Sequence, residues 1–174
     1  MLERRKEAEE HHAKVTDARN DILVFTTDPF DKPMTIAGPV SARLFAASSA
    51  KDTDWFMLLS EVKAGGEILP LAQGKVRARY RQSMAQPKLL RAGKVYEYTI
   101  DLWQTGLTFE KGSRLRVEVS SAAFPIFSRN LNTGGHNEKE TRFVPARQTI
   151  YHDAKYPSHL LLPVIPPEML GASK

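Results

Sequence analysis

From residue 21 onward the apolar residues recur at every second position, and this period constrains the fold more than any other feature of the chain. Lys75-Val-Arg-Ala-Arg-Tyr-Arg81 would turn Val76, Ala78 and Tyr80 to one face and its four cations to the other. Val95–Leu102 alternates likewise, with Tyr96, Tyr98, Ile100 and Leu102 inward, and Arg114–Ser120 buries Leu115, Val117 and Val119. Further runs lie at 21–26, 40–46, 55–62, 67–71, 148–152 and 159–165, of which 55–62 is apolar on both faces at its start, as a central strand would be. Gly, Pro, Asp and Asn turns separate them, which gives about nine strands. No long amphipathic helix intervenes, so a parallel βαβ architecture is not expected. The fold class read from the sequence is all-β, an antiparallel two-sheet sandwich of jelly-roll type.

At 174 residues the chain has the length of one domain. Residues 1–16 read as a helix or linker of uncertain role, in which Glu7/His11 and Glu10/Lys14 sit at i,i+4 spacing. Residues 17–167 read as the sandwich. Residues 168–174 read as a frayed tail after the strand-ending Pro166 and Pro167. The first ten residues are charged throughout and resemble no signal peptide, which favours the cytoplasm. No apolar run approaches the ~20 residues of a membrane helix, so no membrane partner is expected.

The absence of cysteine excludes disulfides, thiolate catalysis and cysteine-bound zinc. The five histidines form no His-x-x-x-His pair. Asp52-Thr-Asp54 resembles half of a calcium loop, but no carboxylate follows at position 56 or 58. The plainer reading is a turn whose Asp side chains bond their own backbone amides. No metal or cofactor is expected. There is no Gly-x-Ser-x-Gly elbow, and Ser158, His152 and Asp153 supply triad residue types at a spacing that carries no information. No catalytic residue is assigned. The net charge of +5 and the stripe Lys75/Arg77/Arg79/Arg81 read as a solvated or partner-facing sheet surface. No aromatic alternates with these cations, so nucleic acid is not expected.

The loop after strand 114–120 is the remaining feature. Phe124 and Phe127 are placed to cap the open end of the sandwich. Asn130 and Asn132 suit left-handed backbone or side-chain–backbone bonds, and Arg129 suits a carboxylate. Two readings stand side by side: the loop organises itself, or it docks on a partner. On the second, Phe124, Phe127, Arg129, Asn130 and Asn132 are the candidate interface residues.

Several ordered segments carry a family resemblance. They are Asp17-Ala-Arg-Asn-Asp-Ile-Leu-Val-Phe25, Gly38-Pro-Val-Ser-Ala-Arg-Leu44, Ala47-Ser-Ser-Ala-Lys-Asp-Thr-Asp-Trp55, Gly74-Lys-Val-Arg-Ala-Arg-Tyr-Arg81 and Tyr98-Thr-Ile-Asp-Leu-Trp103. Val119-Ser-Ser-Ala-Ala-Phe-Pro125, Arg129-Asn-Leu-Asn-Thr-Gly134, Ile150-Tyr-His-Asp153 and Pro157-Ser-His-Leu160 follow. Across residues 17–166 the chain resembles the C-terminal domain of the cocaine esterase/X-prolyl dipeptidyl-peptidase group of serine hydrolases. The resemblance implies a galactose-binding-like jelly roll that follows an α/β-hydrolase domain, packs on it and helps wall its substrate cleft. The triad of that group lies in the hydrolase domain, so the resemblance implies a chain inactive alone. Its expected partner is an α/β-hydrolase catalytic domain, in the same polypeptide or another chain, and it makes homo-oligomers plausible.

One alternative is a free-standing carbohydrate- or protein-binding sandwich. A sugar site needs exposed aromatics, whereas Trp55 and Trp103 both fall in strands where burial is expected.

Overall fold

The computed structural model describes residues 18–171. The expected helix within 1–16 lies outside them. Nine strands form: β1 (Ile22–Thr26), β2 (Met34–Ser48), β3 (Asp54–Val62), β4 (Ile68–Arg77), β5 (Tyr96–Phe109), β6 (Arg114–Ser120), β7 (Gln148–Tyr151), β8 (His159–Leu161) and β9 (Val164–Ile165). All pairings are antiparallel. One sheet runs β1-β6-β3-β4. The other is built on β2, with β5 along one edge and β7, β8 and β9 sharing the other. The chain crosses repeatedly between the sheets, as a jelly roll does, and the all-β sandwich expected from the sequence is the fold observed. Pro163 separates β8 from β9, and Pro167–Met169 forms a 3-10 turn that reaches into the segment read as a tail.

The inward faces supply the core. Trp55, Leu59, Tyr98, Ile100, Leu102, Phe109, Ile36 and Leu44 are each 1% exposed or less. Full burial of side chains of this size stabilises by about 1.5–3 kcal/mol each before entropy is counted. Gly74 in β4 lies close against the backbone of β5, in the other sheet. A Cβ there would lie 2.1 Å from the Asp101 carbonyl oxygen of β5, so only glycine lets the backbones approach.

Several expected strands differ from the observed ones: the run 40–46 is part of the longer β2, 159–165 divides into β8 and β9, and two further cases bear on the site. The run 75–81 is not a separate strand. β4 continues from the Gly65-Gly66 turn to Arg77, and Ala78–Tyr80 is a 3-10 turn. The turn breaks the alternation, so Arg79 swings back toward the domain instead of facing solvent. β5 runs seven residues past Leu102, to Phe109. Its burial phase changes on the way: Tyr98, Ile100 and Leu102 are buried, then Phe109. The extra residue sits at Leu102–Trp103, opposite Val40, where the β2–β5 register shifts. This is a β-bulge, and it keeps the core face inward on both sides of the irregularity.

Candidate functional site

The bulge sets Trp103 in a left-handed conformation, φ +68°. That region is costly for a bulky side chain. The Trp103 N–H donates to Asp101 Oδ1 at 2.8 Å, which closes a tight local turn. The indole is 75% exposed, contrary to the burial expected of a strand tryptophan, whereas Trp55 is buried as expected. The phase jump between Leu102 and Leu107 in the sequence is the signal that could have located the bulge.

Trp103 lines a groove of about 450 Å3 on the outer face of the β1-β6-β3-β4 sheet. The segment after β6 forms the other wall, with Phe124 and Ile126 60% and 75% exposed. Phe127 stacks on Phe56 of β3, ring centroids 5.4 Å apart, and the Lys75 ammonium lies 3.5 Å above the Phe127 ring. The Arg129 guanidinium lies 4.7 Å over the Phe124 ring. Both are cation–π contacts. The Phe124–Pro125 peptide bond is cis.

The next part of the loop faces inward. Asn130 donates one amide bond to Asp52 Oδ2 at 3.0 Å and another to Asp54 Oδ1 at 2.9 Å. Asp52 is fully buried and accepts the Arg79 backbone N–H at 2.9 Å and its Nε at 2.7 Å. Asp54 pairs bidentately with Arg77 at 2.8 and 3.1 Å. These bonds raise the Arg77 pKa above its ordinary value, against the opposing effect of burial. Arg79 also donates to the Gly135 carbonyl at 2.9 Å. Asn132, φ +62°, donates from its side chain to the Val144 carbonyl, and its backbone N–H donates to Asn130 Oδ1.

The five residues singled out in the sequence therefore divide. Phe124 is on the surface with Arg129 against it. Phe127 is packed on β3, Asn130 holds the loop to Asp52 and Asp54, and Asn132 ties it to Val144 in the following loop. Asp52 and Asp54 form neither half a calcium loop nor a pair of self-bonded turns. They anchor two arginines and an asparagine. Among the described residues no group of acids and histidines is arranged to hold a metal.

No triad is assembled from Ser158, His152 and Asp153. The Ser158 hydroxyl donates to the Tyr151 carbonyl and accepts the Phe45 N–H at 2.9 Å. Asp153 accepts the N–H groups of Lys155 and Tyr156, and the His152 ring packs edge-on to Phe25. Each group is already committed to a structural contact.

Comparison with known proteins matches residues 4–161 to the family described as X-Pro dipeptidyl-peptidase C-terminal non-catalytic domain. The cocaine esterase of Rhodococcus sp. (strain MB1 Bresler) is 41% identical over 149 residues, which cover 84% of this chain and 26% of the esterase. A putative serine esterase of Mycobacterium bovis is 27% identical over 126 residues. Among solved structures, an α-amino acid ester hydrolase superposes with a TM-score of 0.84 at 32% identity, covering 87% of this chain and 27% of the hydrolase. An aminopeptidase from a marine-sediment Thaumarchaeota archaeon superposes with a TM-score of 0.80 at 33% identity, covering 88% of this chain and 27% of the aminopeptidase. The chain thus spans about a quarter of the length of these relatives. They are hydrolases in which this domain is the C-terminal part of a larger chain that also holds a catalytic domain. The sandwich, the ordered motifs and these matches agree: the chain belongs to the X-Pro dipeptidyl-peptidase C-terminal domain family, the non-catalytic C-terminal domain of hydrolases of the cocaine esterase type.

Proposed function

We propose that this domain serves an esterase, acylase or X-Pro dipeptidyl-peptidase by packing on its α/β-hydrolase domain and helping to shape the substrate cleft. The observation that carries this reading is the construction of the 120–135 loop. Its inner half is bonded to Asp52 and Asp54 through Asn130, while its outer half exposes Phe124 and Ile126. Large exposed apolar side chains on a fixed support suit a permanent partner surface. The candidate interface residues keep distinct roles: Phe124 and Arg129 meet the partner, and Phe127, Asn130 and Asn132 hold the surface in shape.

A substitution of this chain for the matching quarter of Rhodococcus cocaine esterase tests the reading. The hybrid should hydrolyse 4-nitrophenyl acetate and withstand heat better than the esterase truncated of that quarter. The separate 174-residue chain should take no fluorophosphonate label. A hybrid no better than the truncated esterase overturns the accessory role, and a labelled separate chain overturns the non-catalytic one.

A carbohydrate-binding module is the second reading, because the exposed Trp103 offers a face on which a sugar ring can stack. Binding on a glycan array that disappears in Trp103→Ala would favour it.

A further inference from the structure

The two sheets leave a notch in the core along one lateral edge. The pairing of β7 with β2 ends at Phe45 opposite Tyr151, and that of β8 begins at Arg43 opposite His159. Between them the chain loops out through 152–158, so Leu44 has no strand partner on this edge among the described residues. The Ser158 hydroxyl bridges the gap, accepting the Phe45 N–H and donating to the Tyr151 carbonyl. Ile150 and Leu160 stand opposite Ala46 and Ala42, on either side of the skipped position. The result is a cavity of about 240 Å3 between the sheets, with buried Leu44, Met57, Val117 and Val119 among its lining.

The facing sheet leaves the same edge uncovered. Leu23 and Phe25 of β1 pair with Val119 and Val117, and directly opposed residues share a face. Both therefore lie on the core side of their sheet, yet they are 46% and 39% exposed. Phe25 meets the His152 ring edge-on, centroids 5.7 Å apart, where the two rings line the cavity. A rotamer change at Phe25 is enough to widen the mouth. Close-packed interiors hold few voids larger than a water molecule, so an apolar cavity of this size is shaped for a ligand.

Size and charge identify the occupant. A protein surface is too broad to enter between two sheets, whereas a small molecule reaches the buried floor. A cavity of about 150 Å3 takes the six carbons of benzene, so one of about 240 Å3 takes about ten non-hydrogen atoms. The polar groups at the rim are mostly spent. Arg43 pairs with Glu97 at 2.7 Å, and His159 Nδ1 donates to the Pro157 carbonyl at 2.6 Å. An ionised ligand would lose its water without gaining a counter-charge. His152 is the exception, because neither of its ring nitrogens has a hydrogen-bond partner among the described residues. We propose that the notch between Leu44, Ile150 and Leu160 binds a small uncharged molecule, an aromatic ring or short alkyl chain whose single hydroxyl or carbonyl bonds to His152. This site stands independently of the accessory role proposed above.

The probe is 2-phenylethanol, titrated into the 174-residue chain carrying 13C-labelled Ile, Leu, Val and Met methyl groups. Shifts should concentrate at Leu44, Ile150 and Leu160, with NOEs from the ring protons to the Leu44 methyls. Ile150→Phe fills the notch and should abolish both. If that variant does not fold, the NOEs of the parent chain decide alone. His152→Ala should weaken 2-phenylethanol about fivefold, the worth of one hydrogen bond, and leave ethylbenzene unchanged. Phenylacetate, of similar shape but charged, should bind more weakly than 2-phenylethanol. No methyl shift up to the solubility limit of the probe, or shifts centred on the Trp103 groove, overturns the proposal. Equal binding by a folded Ile150→Phe does the same, and equal binding by His152→Ala overturns the assignment of the polar end. Leu44 NOEs from residues 1–17 of the free chain, or binding that is lost in the esterase hybrid, also overturn it and give the notch to the chain itself or to the catalytic domain.

Discussion

The Asn130 side-chain amide lies 3.0 Å from Oδ2 of Asp52, a carboxylate with no exposed surface. The same amide nitrogen reaches Asp54, so one neutral side chain ties the 129–135 loop to two buried acids. A hydrogen bond to a charged group contributes about 1.5–3 kcal/mol. Asn130→Ala should therefore cost about 2–4 kcal/mol in urea unfolding. Asn130→Asp should cost more, because it sets a third carboxylate beside two others. Hydrogen exchange should show the loop losing protection before the strands do. A loss under 1 kcal/mol for both variants would mean that the loop is held elsewhere.

Arg79 makes the complementary case. Its side chain is 13% exposed and its charge is matched by Asp52. Removing one partner of a buried pair leaves an uncompensated charge, at about 3–5 kcal/mol. Asp52→Ala should lose stability on that scale. Asp52→Ala combined with Arg79→Met removes the stranded charge and should recover a large part of the loss. A double variant no more stable than Asp52→Ala alone would show that Asp52 acts through Asn130 and the backbone, with little contribution from the ion pair.

These contacts mark the limit of what the sequence discloses. Period two located strands such as β5 and β6 because one face of each lies in the core, and the expected run Arg114–Ser120 coincides with β6. The period is silent where the chain leaves the sheet. Arg79 follows Arg77 at strand spacing, yet the 3-10 turn at Ala78–Tyr80 takes it back to Asp52, 27 positions away. Strand alternation after Leu102 already turns Trp103 outward, and the burial expected of it rested on residue type; the extra residue in β5 reverses the face only of the residues that follow, so that Leu107 and Phe109 turn inward. The Phe124–Asn132 loop stood out by its residue types, but which members face inward depends on Asp52 and Asp54. A long-range partner leaves no local mark in a single sequence.

Gly74 offers a sharper test of packing. A methyl group there would overlap the Asp101 carbonyl oxygen at 2.1 Å and the carbonyl carbon at 2.9 Å. Both belong to the backbone of β5, which cannot turn aside as a flexible side chain would. Gly74→Ala should cost at least the ~1–3 kcal/mol typical of overpacking. It should also move β4 relative to β5, observable as amide shift changes across 99–103. Gly65→Ala is the control: nothing lies within 4 Å of its Cβ position, and its effect should be small.

Tyr98 gives the domain a predictable alkaline limit. Burial raises its phenol from 10.0 to about 12, and the Trp55 indole, ring centroids 5.8 Å away, offsets part of that effect. Neither the Tyr98 hydroxyl nor the Trp55 Nε1–H completes a hydrogen bond, so burial sets the direction. The raised pKa favours the protonated phenol in the native state, while the unfolded chain releases its proton near pH 10. The contribution is fully present below pH 10 and is lost as pH rises toward 12. At pH 11 the loss from this group amounts to about 1.4 kcal/mol, one pKa unit of proton linkage. Urea unfolding at pH 8 and pH 11 should show the parent chain falling by that much more than Tyr98→Phe, with each protein serving as its own reference. Equal falls would mean that the native phenol ionises as readily as a solvated one, and that water reaches the space between the sheets.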